Sequence, residues 1–132
     1  MVLGSGMLVS LLSSCSTTLS VFNTSESNMK VKIPESEMIK SDVKVINIKG
    51  FAYNVFLKKN SDASYTALAM ICTHAGNPLV KTGKKLFCSL HGSEFDEAGN
   101  VLKGPAEKNL AQLPVINNNG VLEITLRDPA TI

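Results

Sequence analysis

Tryptophan is missing from this chain of 132 residues, and aromatic residues make up only 5% of it. No stacking platform for nucleic-acid bases is therefore on offer. An excess of one charge is missing too: 13 Lys and Arg against 11 Asp and Glu leave a net charge of +2. That is too little to draw the chain to nucleic acid or to an anionic lipid surface by charge alone, and nucleic acid is not among the expected partners. Cysteine occurs three times; an odd number cannot pair completely, so a disulfide framework is not expected. Histidine occurs only twice. No apolar run reaches the roughly 20 residues of a membrane-spanning helix. No stretch after residue 28 keeps a helical period through three turns, and internal repeats are absent. What remains is one domain's worth of chain, 44% hydrophobic.

Both histidines stand beside cysteines. Cys72-Thr73-His74 is followed, after thirteen intervening residues, by Cys88-Ser89-Leu90-His91. Two such pairs on separate short loops can bring two thiolates and two imidazoles to one metal centre. Thiolates are soft anionic ligands that stabilise ferric iron, and imidazoles are neutral ones. The set suits a [2Fe–2S] cluster with mixed Cys and His ligation, and it suits a structural Cys₂His₂ zinc site as well. The first moves electrons; the second only holds shape.

The start of the chain has a different character. Residues 1–14 are uncharged and largely apolar, as in the h-region of a secretory signal peptide. They end in Leu12-Ser13-Ser14-Cys15, which resembles the lipobox of bacterial lipoproteins. In that family the cysteine receives a diacylglycerol and becomes the mature N-terminus. The resemblance implies an exported protein with lipidation at Cys15, anchored to the membrane and facing the periplasm. No Lys or Arg precedes the apolar run, although the n-region of a signal is positive. An upstream start, or a packed tail with a bystander cysteine, are the alternatives. Residues 15–28 are expected to form a linker, since Ser16, Thr17, Thr18, Ser20, Thr24, Ser25 and Ser27 with Asn23 and Asn28 make a tether composition.

From Met29 onward short β segments alternate with turn residues. Strands are expected at Met29–Ile33, Val43–Ile48, Tyr53–Leu57, Tyr65–Ile71, Lys85–Cys88, Glu94–Asp96, Val101–Leu102, Leu113–Ile116 and Val121–Leu126. The last two flank Asn117-Asn118-Asn119-Gly120, a hairpin signal through its Asn-Gly pair. The fold class is all-β, a sandwich or small barrel.

Cys72-Thr73-His74-Ala75-Gly76 and Cys88-Ser89-Leu90-His91-Gly92-Ser93 resemble the two cluster-binding loops of the Rieske family, and Gly104-Pro105-Ala106 resembles its proline loop. The resemblance covers roughly residues 29–128, and the domain is expected to span 29–132. It implies a Rieske-type antiparallel β sandwich with a small cluster-binding subdomain of two loops, and one [2Fe–2S] cluster per chain. Cys72 and Cys88 would hold the inner iron, and His74 and His91 the outer one. Exchanging two thiolates for imidazoles removes two negative charges, so an added electron meets less repulsion. The potential rises to about −150 to +300 mV, against about −400 mV for plant-type ferredoxins.

The family also has a branch that oxidises quinols. There, a serine at the position of Ser93 donates a hydrogen bond to a bridging sulfide, and a tyrosine two residues on donates to a cysteine sulfur. This chain has the serine but carries Phe95 in place of the tyrosine. Neither loop holds the extra cysteine of high-potential members. The resemblance thus implies an intermediate potential. An oxygenase α-subunit would need further histidines for a second iron, so a single-electron carrier or a subunit of an oxidoreductase is expected. The redox partner would be a cytochrome, a reductase or an oxygenase. Lys81, Lys84 and Lys85 lie between the ligand loops, either as a solubilising hairpin tip or as a docking patch for an acidic partner. Glu94, Asp96 and Glu97 read as a solvated turn.

Overall fold

A computed structural model describes residues 20–25 and 27–132. Its strands are β1 (Val21–Thr24), β2 (Lys30–Pro34), β3 (Val43–Ile48), β4 (Val55–Lys59), β5 (Tyr65–Ala69), β6 (Val80–Thr82), β7 (Lys85–Phe87), β8 (Glu94–Asp96), β9 (Val101–Lys103), β10 (Gln112–Leu113), β11 (Val115–Asn118) and β12 (Val121–Thr125). Two 3₁₀ turns, Glu35–Met38 and Pro129–Thr131, are the only helical pieces among the described residues. The strands form a five-stranded sheet in the order β1-β3-β4-β5-β10, a three-stranded sheet β11-β12-β2 and a four-stranded sheet β6-β7-β8-β9. The all-β, largely antiparallel architecture expected from the sequence is what the chain adopts.

Burial follows the two-residue period of each strand. On β2, Val31 and Ile33 point inward while Lys30, Lys32 and Pro34 face out. On β12, Leu122 and Ile124 meet them across the ladder. The central strand β4 buries Val55, Phe56 and Leu57 in succession, because both faces of its sheet are covered. Val55 and Leu57 join the core shared with the three-stranded sheet, which also holds Val31, Ile33, Ala67 and Ala69. Phe56 points the other way. With Leu68 and Met70 it packs against Leu86 and Phe95 of the four-stranded sheet. Strands of three residues cannot stand alone. Burying Leu86 and Phe95 on the larger sheet stabilises the small one by about 1.5–3 kcal/mol for each side chain.

Four elements differ from expectation, the first being β6, where no strand was expected. The 15–28 stretch, expected as a linker, carries β1, which pairs in parallel with β3. Phe22 packs against the main core, and that contact outweighs the polar composition around it. The single strand expected at Leu113–Ile116 is two strands in two different sheets. Pro114 stands between them, has no N–H for a ladder, and accepts from Thr125 N–H at 3.0 Å. Tyr53 lies ahead of its strand, buried, where its hydroxyl donates to Arg127 O at 2.8 Å and accepts from Arg127 N–H at 2.9 Å.

Candidate metal centre

Alternation along β5 continues past its end: Leu68, Met70 and Cys72 all enter the small-sheet core. Leu86 and Cys88 do the same from β7. Each cysteine then opens a loop with the same backbone bonding. Cys72 N–H donates to Asn77 O at 2.7 Å, and Gly76 N–H returns to Cys72 O at 2.8 Å. Cys88 N–H donates to Ser93 O at 2.9 Å, and Gly92 N–H returns to Cys88 O at 2.9 Å. The closing glycines have φ of 72° and 84°, the left-handed region that costs other residues about 1–2 kcal/mol. The loops therefore superpose by cysteine and glycine. The histidines, at the second and third positions after the cysteine, are out of step.

That arrangement sorts the side chains by depth. Cys72 and Cys88 are buried free thiols. His74 and His91 are exposed, with ring centroids 4.9 Å apart and planes at 89°. Burial pushes the Cys88 thiol up, but the backbone N–H groups of His91 and Leu90 and the Cys72 side chain outweigh it. The result lies below the ordinary thiol value. The loop thus makes Cys88 easier to deprotonate than an ordinary cysteine, toward the form that binds metal.

A third loop closes over the other two. Ser93 is fully buried and accepts a hydrogen bond from Ala106 N–H at 3.0 Å. Thr73, between the first Cys and His, donates to Lys108 O at 2.6 Å. Residues 104–108 are thereby tied to both ligand loops. Thr73 is a residue that the sequence reading passed over; its signal was a hydroxyl placed between two expected ligands. Cys15 lies outside the described residues.

The model of the Rieske [2Fe-2S] domain family matches residues 28–114. The chain belongs to this family. The Rieske domain is 35% identical over 66 residues to the cytochrome b6-f complex iron-sulfur subunit 1 of the Cyanophora paradoxa cyanelle, covering 48% of this chain and 28% of that one. It is 51% identical over 49 residues to the ubiquinol-cytochrome c reductase iron-sulfur subunit of Rickettsia prowazekii (strain Madrid E), covering 35% and 28%. The match thus spans well under a third of the length of these curated relatives. Among solved structures it is similar to the plasma membrane Rieske protein of Synechocystis PCC 6803, with a TM-score of 0.58 and 23% identity over 71% of this chain and 97% of that one. The ferredoxin of carbazole 1,9a-dioxygenase from Nocardioides aromaticivorans IC177 gives a TM-score of 0.51 and 17% identity, covering 75% and 99%. At these identities the likeness is one of fold.

The residues fit the cofactor of the Rieske domain, a [2Fe–2S] cluster. A lone zinc ion would gather its donors within about 2.0–2.3 Å of one point. Among the described residues, no three His, Cys, Asp or Glu side chains converge in that way. A binuclear cluster asks only for two donors per iron, one pair deep and one pair shallow, which is the sorting seen here. Nothing favours the zinc alternative.

Two of the lysines and the acids near the Rieske loops are committed elsewhere. Lys81, expected in a tip or docking patch, has a side chain only 7% exposed, pairs with Glu97 at 3.1 Å and lies 5.8 Å from the centroid of the Phe56 ring. It also donates to Gly83 O. Lys85 pairs with Glu94 at 2.6 Å. Lys81 and Lys85 are therefore tied into ion pairs, while Lys84 stands exposed at the turn between β6 and β7. The expected solvated acidic turn is likewise built in. Asp96 accepts from the N–H groups of Ala98 and Asn100, and Glu97 bridges Lys81 and Lys58.

Proposed function

We propose that this Rieske domain passes single electrons through a [2Fe–2S] cluster held by Cys72, Cys88, His74 and His91, as a carrier or as the electron-transfer subunit of a larger oxidoreductase. The observation that carries this reading is the pair of loops with matching backbone bonds, which set two thiols inside and two imidazoles outside. When bound, the cluster supplies a reversible one-electron couple. The buried thiols would grip it from the protein side. The histidine rings would form the face that a redox partner meets, and Pro105 would shield one flank. Ser93 accepts from Ala106 N–H, so its own proton is left to donate toward a sulfide and pull the potential up. Phe95, fully buried, has no hydroxyl to add a second such bond. Together with loops that lack an extra cysteine pair, this supports a potential in the middle of the family range.

Relatives named as cytochrome-complex subunits and as an oxygenase ferredoxin support a cytochrome or an oxygenase system as the partner. The apolar run 1–14 and the Leu12-Ser13-Ser14-Cys15 string support export with lipid on Cys15 and a periplasmic location. No helix among the described residues is long and apolar enough to cross a membrane. Anaerobic reconstitution tests the central claim. Two irons and two acid-labile sulfides per chain are expected, with an electron paramagnetic resonance signal on reduction. Iron and sulfide near zero would refute it.

A further inference from the structure

The one parallel pairing among the described strands, β1 on β3, decides which end of the domain the N-terminal segment leaves from. Val21 lies opposite Val45, Val45 opposite Phe56 and Phe56 opposite Leu68. β1 runs in the direction of β3. β3 and β5 are both antiparallel to β4, so β1 also runs in the direction of β5. Cys72 comes four residues after Leu68 in that direction. Ser20, held by Val45 N–H at 3.0 Å, is one residue back from Val21. At about 3.3 Å per residue, five residues separate the level of Ser20 from that of Cys72, about 17 Å. The chain preceding Ser20 is therefore delivered away from the ligand loops.

We infer that the His74–His91 end of the domain points away from the bilayer, and that its redox partner is a water-exposed protein docking from the aqueous side rather than a quinol held in the membrane. The inference rests on the lipid anchor at Cys15 proposed above. Five residues from Cys15 to Ser20 reach at most about 18 Å when fully extended. To stand the domain with its histidine end down on the lipid, the tether would have to reverse and run the full 17 Å or so back along the sheet, at full stretch. The histidines lie beyond Cys72 even then. The two ends also differ in chemistry. The end from which the tether leaves bears a polar groove of about 470 Å³ lined by Asp42, Lys58, Lys59, Asn60 and Ser61, suited to water and headgroups. The ligand end presents Leu90, 62% exposed and next to His91 in the chain, an apolar contact for a protein surface.

The test uses the full lipidated chain, cluster loaded and reduced, in liposomes, with electron spin relaxation of the cluster as the readout. A water-soluble nickel complex is expected to speed the relaxation. The same nickel chelated on lipid headgroups is expected to leave it unchanged. Relaxation by headgroup nickel as strong as by the soluble complex would overturn the orientation. Mass analysis of the N-terminal peptide from the same sample keeps the premise separate. Diacylglycerol on Cys15 is expected, and an unmodified Cys15 overturns the anchor, and the inference with it, whatever the relaxation shows.

Discussion

Ser93 is the buried residue whose hydroxyl both receives and can give: Ala106 N–H occupies its oxygen, and its proton remains to be placed. Replacing Ser93 with Ala removes a donor while the loop bond from Cys88 N–H to Ser93 O persists. The expected outcome is a loaded cluster with a lowered potential. A tenfold change in a one-electron equilibrium is about 59 mV, and the loss of one charge-assisted hydrogen bond predicts a drop of that order, read by redox titration. Two glycines give a second contrast. A Cβ on Gly92 would meet nothing within 4 Å, whereas on Gly99 it would lie 3.0 Å from Leu68 Cδ2 and 3.4 Å from Leu110 Cβ. Both have positive φ. Gly92→Ala is expected to cost only the backbone strain, about 1–2 kcal/mol. Gly99→Ala adds overpacking of about 1–3 kcal/mol. Chemical denaturation of the two variants should show the larger loss for Gly99→Ala.

Between elements, the clamp that matters is Glu97. From the β8–β9 turn it reaches Lys58 on β4 at 2.8 Å and Lys81 on β6 at 3.1 Å, so one carboxylate joins the small sheet to the large one. Burial pushes its acidity down, but the bonds to Lys58 and Lys81 prevail and hold its pKa below the ordinary glutamate value. The folded state therefore binds this proton less readily than the unfolded state. The stabilisation is fully present above about pH 4.3, the unperturbed value, and is lost as pH falls through the lower folded value. Glu97→Gln is expected to lose about 1–3 kcal/mol at neutral pH, because Lys81 stays buried without its counter-charge. Melting curves of variant and wild type should converge only as the pH falls through the lowered folded value. A gap that does not change with pH would show that packing, not charge, is what the substitution removes.

At the scale of the molecule, two cores share one sheet but not one dependence on the cofactor. Among the described residues, the core facing the three-stranded sheet contains no cysteine. The core facing the small sheet includes Cys72 and Cys88 themselves. Stripping iron would leave two buried thiols without partners in the second core and nothing changed in the first. Hydrogen exchange on the iron-free chain should therefore leave amides of Leu57 and Ala67 protected. Amides of Leu86 and Phe95 should exchange faster. Equal loss of protection in both regions would mean that the domain folds only around its cluster.

Most of the strands were legible in the sequence, and so were the donor atoms of the four proposed ligands, because both rest on local chemistry. A two-residue alternation states which side of a strand is apolar, and a cysteine or histidine states its donor atom wherever it stands. Val43–Ile48 and Glu94–Asp96 were read with the bounds they have in the fold. What local patterns do not carry is pairing across distance. The strand β1 was hidden among serines and threonines because its place comes from β3 and from the packing of Phe22. Lys81 read as a surface charge because its partner Glu97 lies sixteen residues away, on another turn. The break at Pro114 into two sheets needed both sheets to exist first. The sequence by itself determined the donor atoms, the β character and the loop glycines. Only the tertiary structure decided that the thiols sit inside and the imidazoles outside, and at which end of the domain they lie. Depth and direction are properties of contacts between segments that the chain order keeps apart.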